Sequence, residues 1–170
     1  MRTTVLVLLG LAASVACGVR ADGPPEIQVD RTACSHCGML VSEPAYAAAY
    51  RTPGSDARVF DDIGCLLEAA RRESTAGPIR FWFQDAASPQ DGPRAARGRP
   101  RGENWIDGET AVFVASPALR TPMGGGLIAY HDRTAAREAA ARHRGRVVDS
   151  LNELLQSREL GGHGASDLAR

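Results

Sequence analysis

One succession of residues occurs twice in this chain, and a fold that uses it must build the same unit twice. Residues 46–53 read Tyr-Ala-Ala-Ala-Tyr-Arg-Thr-Pro; residues 111–122 read Ala-Val-Phe-Val-Ala-Ser-Pro-Ala-Leu-Arg-Thr-Pro. Both are apolar runs that end in Arg-Thr-Pro. The first continues to Val59-Phe60-Asp61-Asp62, the second to Ile128-Ala129-Tyr130-His131-Asp132. Six residues after Asp62 and after Asp132 stands Glu-Ala-Ala, at 68–70 and 138–140. Asp62 and Asp132 are placed to accept helix N–H bonds as N-caps. Ile63, Leu66, Leu67 and Ala70 recur at helical spacing and predict a buried helix face. Gly77-Pro78 and Gly145 end the two helices, and a new strand follows each. In the first of these, Phe81 and Phe83 alternate with Trp82, which predicts one buried face and one half-covered face. A last helix is expected over 150–158.

The fold class that follows is α+β: two repeated ββαβ units joined by an irregular loop. The units span about 27–84 and 105–158. The linker 85–104 is rich in Pro and Gly and carries arginines at 94, 97, 99 and 101. It reads as a solvated loop. Residues 159–170 read as a disordered, Gly-containing tail.

The N-terminus reads as an export signal over 1–16, with Arg2 ahead of an apolar run from Val5 to Ala16. That run is shorter than the ~20 residues that span a bilayer. Ser14-Val15-Ala16-Cys17 resembles a lipobox with Ser14 where leucine is usual, so Cys17 is the expected lipidation site. Cleavage after Ala16 or Ala21 is the alternative. Residues 17–26 would tether the domain to a membrane. Either route predicts a periplasmic or cell-envelope protein. Formal net charge is zero, and aromatics are few, so no nucleic-acid affinity is implied.

With Cys17 set aside, Cys34, Cys37 and Cys65 remain. Three is odd, so one thiol at least is free or metal-bound. Cys34-Ser-His-Cys37-Gly-Met39 places two thiols, an imidazole and a thioether together. Thiolate and thioether are soft donors and favour Cu(I). Cys37 and Met39 would share one side of an extended segment. Cys34 and Cys37 can chelate from a tight turn. Met123, between Thr121-Pro122 and Gly124-Gly125-Gly126, packs poorly as a core residue and is a further candidate ligand. Cys65 near a helix start and His36 are lesser candidates. Asp61 and Asp62 read as capping residues. Nothing in the chain suggests a hydrolytic site, and the protein reads as a metal carrier and not an enzyme. The alternative is a periplasmic thiol–disulfide oxidoreductase using Cys34 and Cys37, although the βαβ surroundings of thioredoxin-like proteins are missing. A mercury-related role rests on fold analogy alone.

Three blocks resemble the NosL family of nitrous oxide reductase accessory proteins. They are Cys34-Ser-His-Cys-Gly-Met39, Phe60-Asp-Asp-Ile-Gly-Cys-Leu-Leu67, and Trp105-Ile-Asp with Ala111-Val-Phe-Val and Thr121-Pro-Met-Gly124. The resemblance implies two ββαβ units, like part of organomercurial lyase. It also implies a periplasmic, often lipid-anchored Cu(I) chaperone. Its implied partners are the NosDFY membrane complex and nitrous oxide reductase, whose copper–sulfur centre it would supply. The weak lipobox and the Arg-rich stretch at 92–101 depart from the family.

Overall fold

The computed structural model of the chain describes residues 23–73, 80–87 and 104–157. The signal segment, Cys17, most of the tether and linker, the arginine cluster, Gly77-Pro78 and the tail from 159 lie outside the described residues.

The first unit runs β1 (Ala48–Arg51), β2 (Arg58–Phe60), α1 (Ile63–Arg72), β3 (Arg80–Gln84). The second follows β4 (Trp105–Asp107) and runs β5 (Val112–Ala115), β6 (Leu127–Tyr130), α2 (Arg133–Arg142), β7 (Arg146–Val148), with α3 (Leu151–Gln156) after it. The repeat read in the sequence is therefore a repeat of topology. In each unit the first strand lies in the middle of its sheet, between the second and the third: β2-β1-β3 and β6-β5-β7. All the pairings are antiparallel. Strand β4, at the start of the second unit in sequence, pairs instead with β3 and completes a four-stranded first sheet.

The strands alternate two apolar faces. Phe113 and Ala115 join a core with Phe60, Phe83, Leu127, Val148 and the buried face of α1. Val112 and Val114, from the opposite face of β5, pack against Ala136, Ala139 and Ala140 of α2. Phe83 and Phe113 meet edge to face at 4.8 Å and tie the two sheets together. The equivalent helices thus have unequal tasks. α1 buries Ile63, Cys65, Leu66 and Leu67 among residues of both sheets, whereas α2 covers one sheet face with alanines. Trp82 is buried on the face expected to be half-covered, because the Arg51 and Arg80 guanidiniums lie over its ring at 5.5 and 5.8 Å.

Both predicted caps form. Asp62 accepts from Gly64 N–H at 2.6 Å, and Asp132 accepts from Ala135 N–H at 2.8 Å. Asp132 does nothing further among the described bonds. Asp62 also accepts from the Thr121 hydroxyl at 2.5 Å and from Met123 N–H at 3.1 Å. One buried carboxylate therefore joins the start of α1 to the loop of the second unit. Gly125 is the residue that lets the loop come so close: a Cβ there would lie 2.6 Å from Asp62 Oδ1 and 3.2 Å from Gly64 Cα.

The two caps make a controlled comparison. Asp132→Ala should lower stability by ~1 kcal/mol, the ordinary value of a cap. Asp62→Ala should lower it by ~2–4 kcal/mol, because Thr121 and Met123 lose a buried acceptor as well. Urea unfolding of the two variants measures the difference; equal losses would show that the bonds to 121 and 123 contribute nothing.

Candidate metal centre

The segment that carries the Cys-x-x-Cys motif is a tight loop pinned to the edge of the first sheet. Its arms are closed by Asp30 N–H to Val41 C=O, Val41 N–H to Thr32 C=O and Cys34 N–H to Met39 C=O, at 2.7–2.9 Å. Gly38 turns the chain with φ +79°, a conformation that costs glycine little. Its N–H donates to Cys34 C=O at 3.0 Å. Ser35 N–H donates to Val59 C=O of β2 at 2.8 Å, and Arg58 reaches Ser35 C=O at 3.4 Å. A small cluster of Ile27, Val41, Ala47 and Val59 underlies the loop.

That docking brings Cys34 and Cys37 to the point where β2 enters α1. Asp61 is the residue after β2, and Cys65 is the third residue of α1. The donor atoms of Cys34, Cys37, Asp61 and Cys65 all lie within 4.8 Å of one another. Cys34 (3% exposed), Asp61 (2%) and Cys65 (0%) are buried, and Cys37 is half-buried. None of the three thiols is in a disulfide. The group has the composition and spacing of a metal-binding site.

Of the expected ligands, Cys34, Cys37 and Cys65 come together. Met39 does not share an extended segment with Cys37, since the left-handed Gly38 breaks the extension between them; its side chain is half exposed. Met123 is partly buried against the same core as Cys37. Its backbone is anchored on Asp62, next to Asp61. His36 turns to α1, its Nε2 3.1 Å from Glu68 Oε2, and is outside the four-donor group.

Asp61 is the residue that the capping interpretation missed. Asp62 alone caps α1. Asp61 instead accepts from Cys37 Sγ at 3.6 Å, and its second oxygen is buried with no hydrogen-bond partner. The signal was the doubled aspartate, since a helix start uses one cap. The second unit supports this: the equivalent position there is His131, which is exposed.

The charge of the cluster concentrates on Cys34. Its pKa is lowered to about 3, chiefly by the hydrogen bond from Cys65, against the opposing effect of burial. The Cys65 thiol is pushed up, first by that same bond to Cys34 and then by burial. Burial likewise raises Cys37. Asp61 is raised to about 6, by burial first and by the neighbouring Cys34 second. One thiolate flanked by proton-bearing groups is the arrangement that results. A cleft of about 870 Å³ lies elsewhere: Arg51, Arg80, Phe81 and Asp107 line it, at the end of β1 remote from Phe60.

The raised pKa of Asp61 has a consequence for stability. Folding favours its proton, so that contribution is full below 3.8 and is lost as pH rises through about 6. Asp61→Asn mimics the protonated acid. In the metal-free, reduced protein the variant should gain on its parent by ~2 kcal/mol between pH 4 and pH 7, by denaturant unfolding. A difference that does not change with pH would show that Asp61 titrates as an ordinary carboxylate.

The comparisons with known proteins bear on this geometry. A crystal structure of the copper chaperone NosL from Shewanella denitrificans superposes with a TM-score of 0.60 at 18% sequence identity, covering 78% of this chain and 98% of that one. At that identity the likeness is one of fold. No curated protein matches the chain. The family model that describes NosL matches residues 26–155, most of the chain, and both ββαβ units and the cysteine cluster lie within it. By that match the chain belongs to the NosL family.

Proposed function

We propose that this protein is a Cu(I) carrier. Its cargo would be bound by the Cys37 thiolate with the Met39 and Met123 thioethers, and Cys34 would stand beside them. The observation that carries this reading is the gathering of three thiols, none of them in a disulfide, at one loop-and-helix junction, with a half-exposed methionine on the same loop. Soft sulfur donors select Cu(I) from the other ions of the cell envelope. Cys37, Met39 and Met123 are the members of the set that solvent reaches, and Met39 is the most exposed of them. Exchange with an incoming ligand needs such access, because the new donor must bind before the old ones leave.

The wider reading follows the family resemblance. The carrier would be non-enzymatic and periplasmic, held to a membrane through lipidated Cys17. It would dock on a NosDFY-type complex and supply copper for the copper–sulfur centre of nitrous oxide reductase. A thiol–disulfide oxidoreductase is favoured by one observation, the lowered pKa of Cys34. Burial of Cys34 and Cys65 opposes it, since an attacking sulfur must reach its substrate.

Titration of the reduced chain with Cu(I) against a chromophoric competitor should give one tight equivalent. Cys37→Ser should weaken it by at least ~100-fold, or about 2.7 kcal/mol. Met123→Ala should weaken it less. Undiminished affinity in Cys37→Ser would remove Cys37 as the anchoring ligand. Turnover of a model disulfide by the metal-free chain would favour the oxidoreductase.

A further inference from the structure

Three thiols meet at the junction, and an odd number cannot all pair. The fold decides which of them an oxidant reaches and which two it leaves joined. Cys37 is half-buried and is the one of the three that solvent reaches; Cys34 is 3% exposed and Cys65 0%. Each sulfur nevertheless lies within 4.8 Å of the other two. A bond made at Cys37 is therefore close enough to be handed inward, from sulfur to sulfur, to cysteines that no external reagent touches.

We propose that the junction is a disulfide site: an oxidant enters at Cys37, and thiol exchange carries the bond inward to a buried Cys34–Cys65 disulfide, which leaves Cys37 as a thiol. The oxidant is an external disulfide, the class that an oxidising compartment supplies. Cys37 Sγ attacks it, a mixed disulfide forms and one thiol leaves. Cys34 Sγ then attacks Cys37 Sγ, which forms Cys34–Cys37 and expels the second thiol. Last, Cys65 Sγ attacks Cys34 Sγ, which forms Cys34–Cys65 and returns Cys37 to the thiol state. Two cysteines are oxidised, one external disulfide is reduced to two thiols, and those thiols carry away the two protons. The inner pair is the favoured end point because it ties the loop to α1 across residues 34–65, while Cys34–Cys37 closes only the turn between them. The longer closed loop constrains the unfolded chain more. An uncharged disulfide also suits a dry position better than a thiolate does. The bond that chiefly opposes ionisation of Cys65 is its bond to Cys34, and it ends when Cys34 enters the first disulfide. The inference rests on the copper reading in one respect: Cys37, Met39 and Met123 lie outside the inner disulfide, so the proposed copper ligands survive oxidation.

The test uses the chain with Cys17→Ser, reduced and metal-free, and oxidised glutathione as the probe. After blocking with N-ethylmaleimide, peptide mapping should find Cys34 linked to Cys65 and the label on Cys37. Cys34–Cys37 as the lasting product, glutathione held on Cys37, or three labelled cysteines would each overturn the proposal. Cys37→Ser keeps both inner thiols and should slow their oxidation by more than ~10-fold, because access governs the reaction. An unchanged rate would remove Cys37 as the point of entry. Cys65→Ala should stop at Cys34–Cys37; should that buried variant not fold, the map of the parent and the rate in Cys37→Ser decide. Cu(I) affinity of the oxidised sample should match that of the reduced one within ~3-fold. Loss of Cu(I) binding in a sample mapped as Cys34–Cys65 would overturn the survival of the copper ligands. Cu(I) bound by neither sample, with the inner disulfide mapped, defeats the copper carrier and leaves the disulfide site standing; Cu(I) bound by the reduced chain, with Cys34–Cys37 mapped, does the reverse.

Discussion

The carboxylate of Asp62 is the interaction on which the arrangement of this protein depends. It caps α1 through Gly64, and it holds Thr121 and Met123 of the second unit. Two repeated units could each satisfy its own helix start, as Asp132 does for α2. Shared between units, the cap becomes a fixed point that sets where the 121–126 loop sits over α1. The acceptor is fully buried, so the bonds are shielded from competition with water and their loss would leave unpaired donors inside the protein. Gly125 belongs to the same constraint, because any larger residue would push the loop off the helix.

Around that fixed point the two units have diverged in what they bury. Both keep one middle strand flanked by two antiparallel partners. The first unit sinks its helix into the shared core and carries the cysteines at the helix entry. The second keeps its helix on an outer sheet face with a flat alanine seam. Adjacent positions express the divergence: Asp61 faces the thiols, while its counterpart His131 faces solvent. A duplicated unit thereby supplies a rigid frame from one copy and a site from the other, with the second copy lending a loop.

The electrostatics of the site follow from its burial. Four ionisable donors packed into a dry junction cannot all carry charge, and the hydrogen bond from Cys65 lets Cys34 carry it most readily. Asp61 then holds its proton further toward neutrality than an exposed carboxylate would. A cation arriving at the junction meets a pre-formed thiolate and displaces protons from the rest. Metal affinity and proton affinity are thus properties of the cluster as a whole.

Much of this was written in the chain. The doubled pattern, Asp62 and Asp132 as caps, the helical spacing of Ile63, Leu66 and Leu67, and the Cys-x-x-Cys turn are local signals, and local signals survive without knowledge of the fold. The soft donor set at 34–39 and its resemblance to a known family were equally legible. Three things were decided only in three dimensions. Cys65 joins Cys34 and Cys37 because Ser35 pairs with Val59 at the edge of β2, a contact no spacing announces. Asp61 turns to the thiols and not to the helix, because its neighbour already satisfies the helix start and the strand's alternation sends the two side chains apart. Trp82 is buried because Arg51 of the neighbouring strand closes over it together with Arg80 of its own strand. A sequence specifies what each segment wants to form, through propensity and pattern. Which polar groups meet in the interior depends on how the segments pack, and that is settled by shared burial across the whole chain.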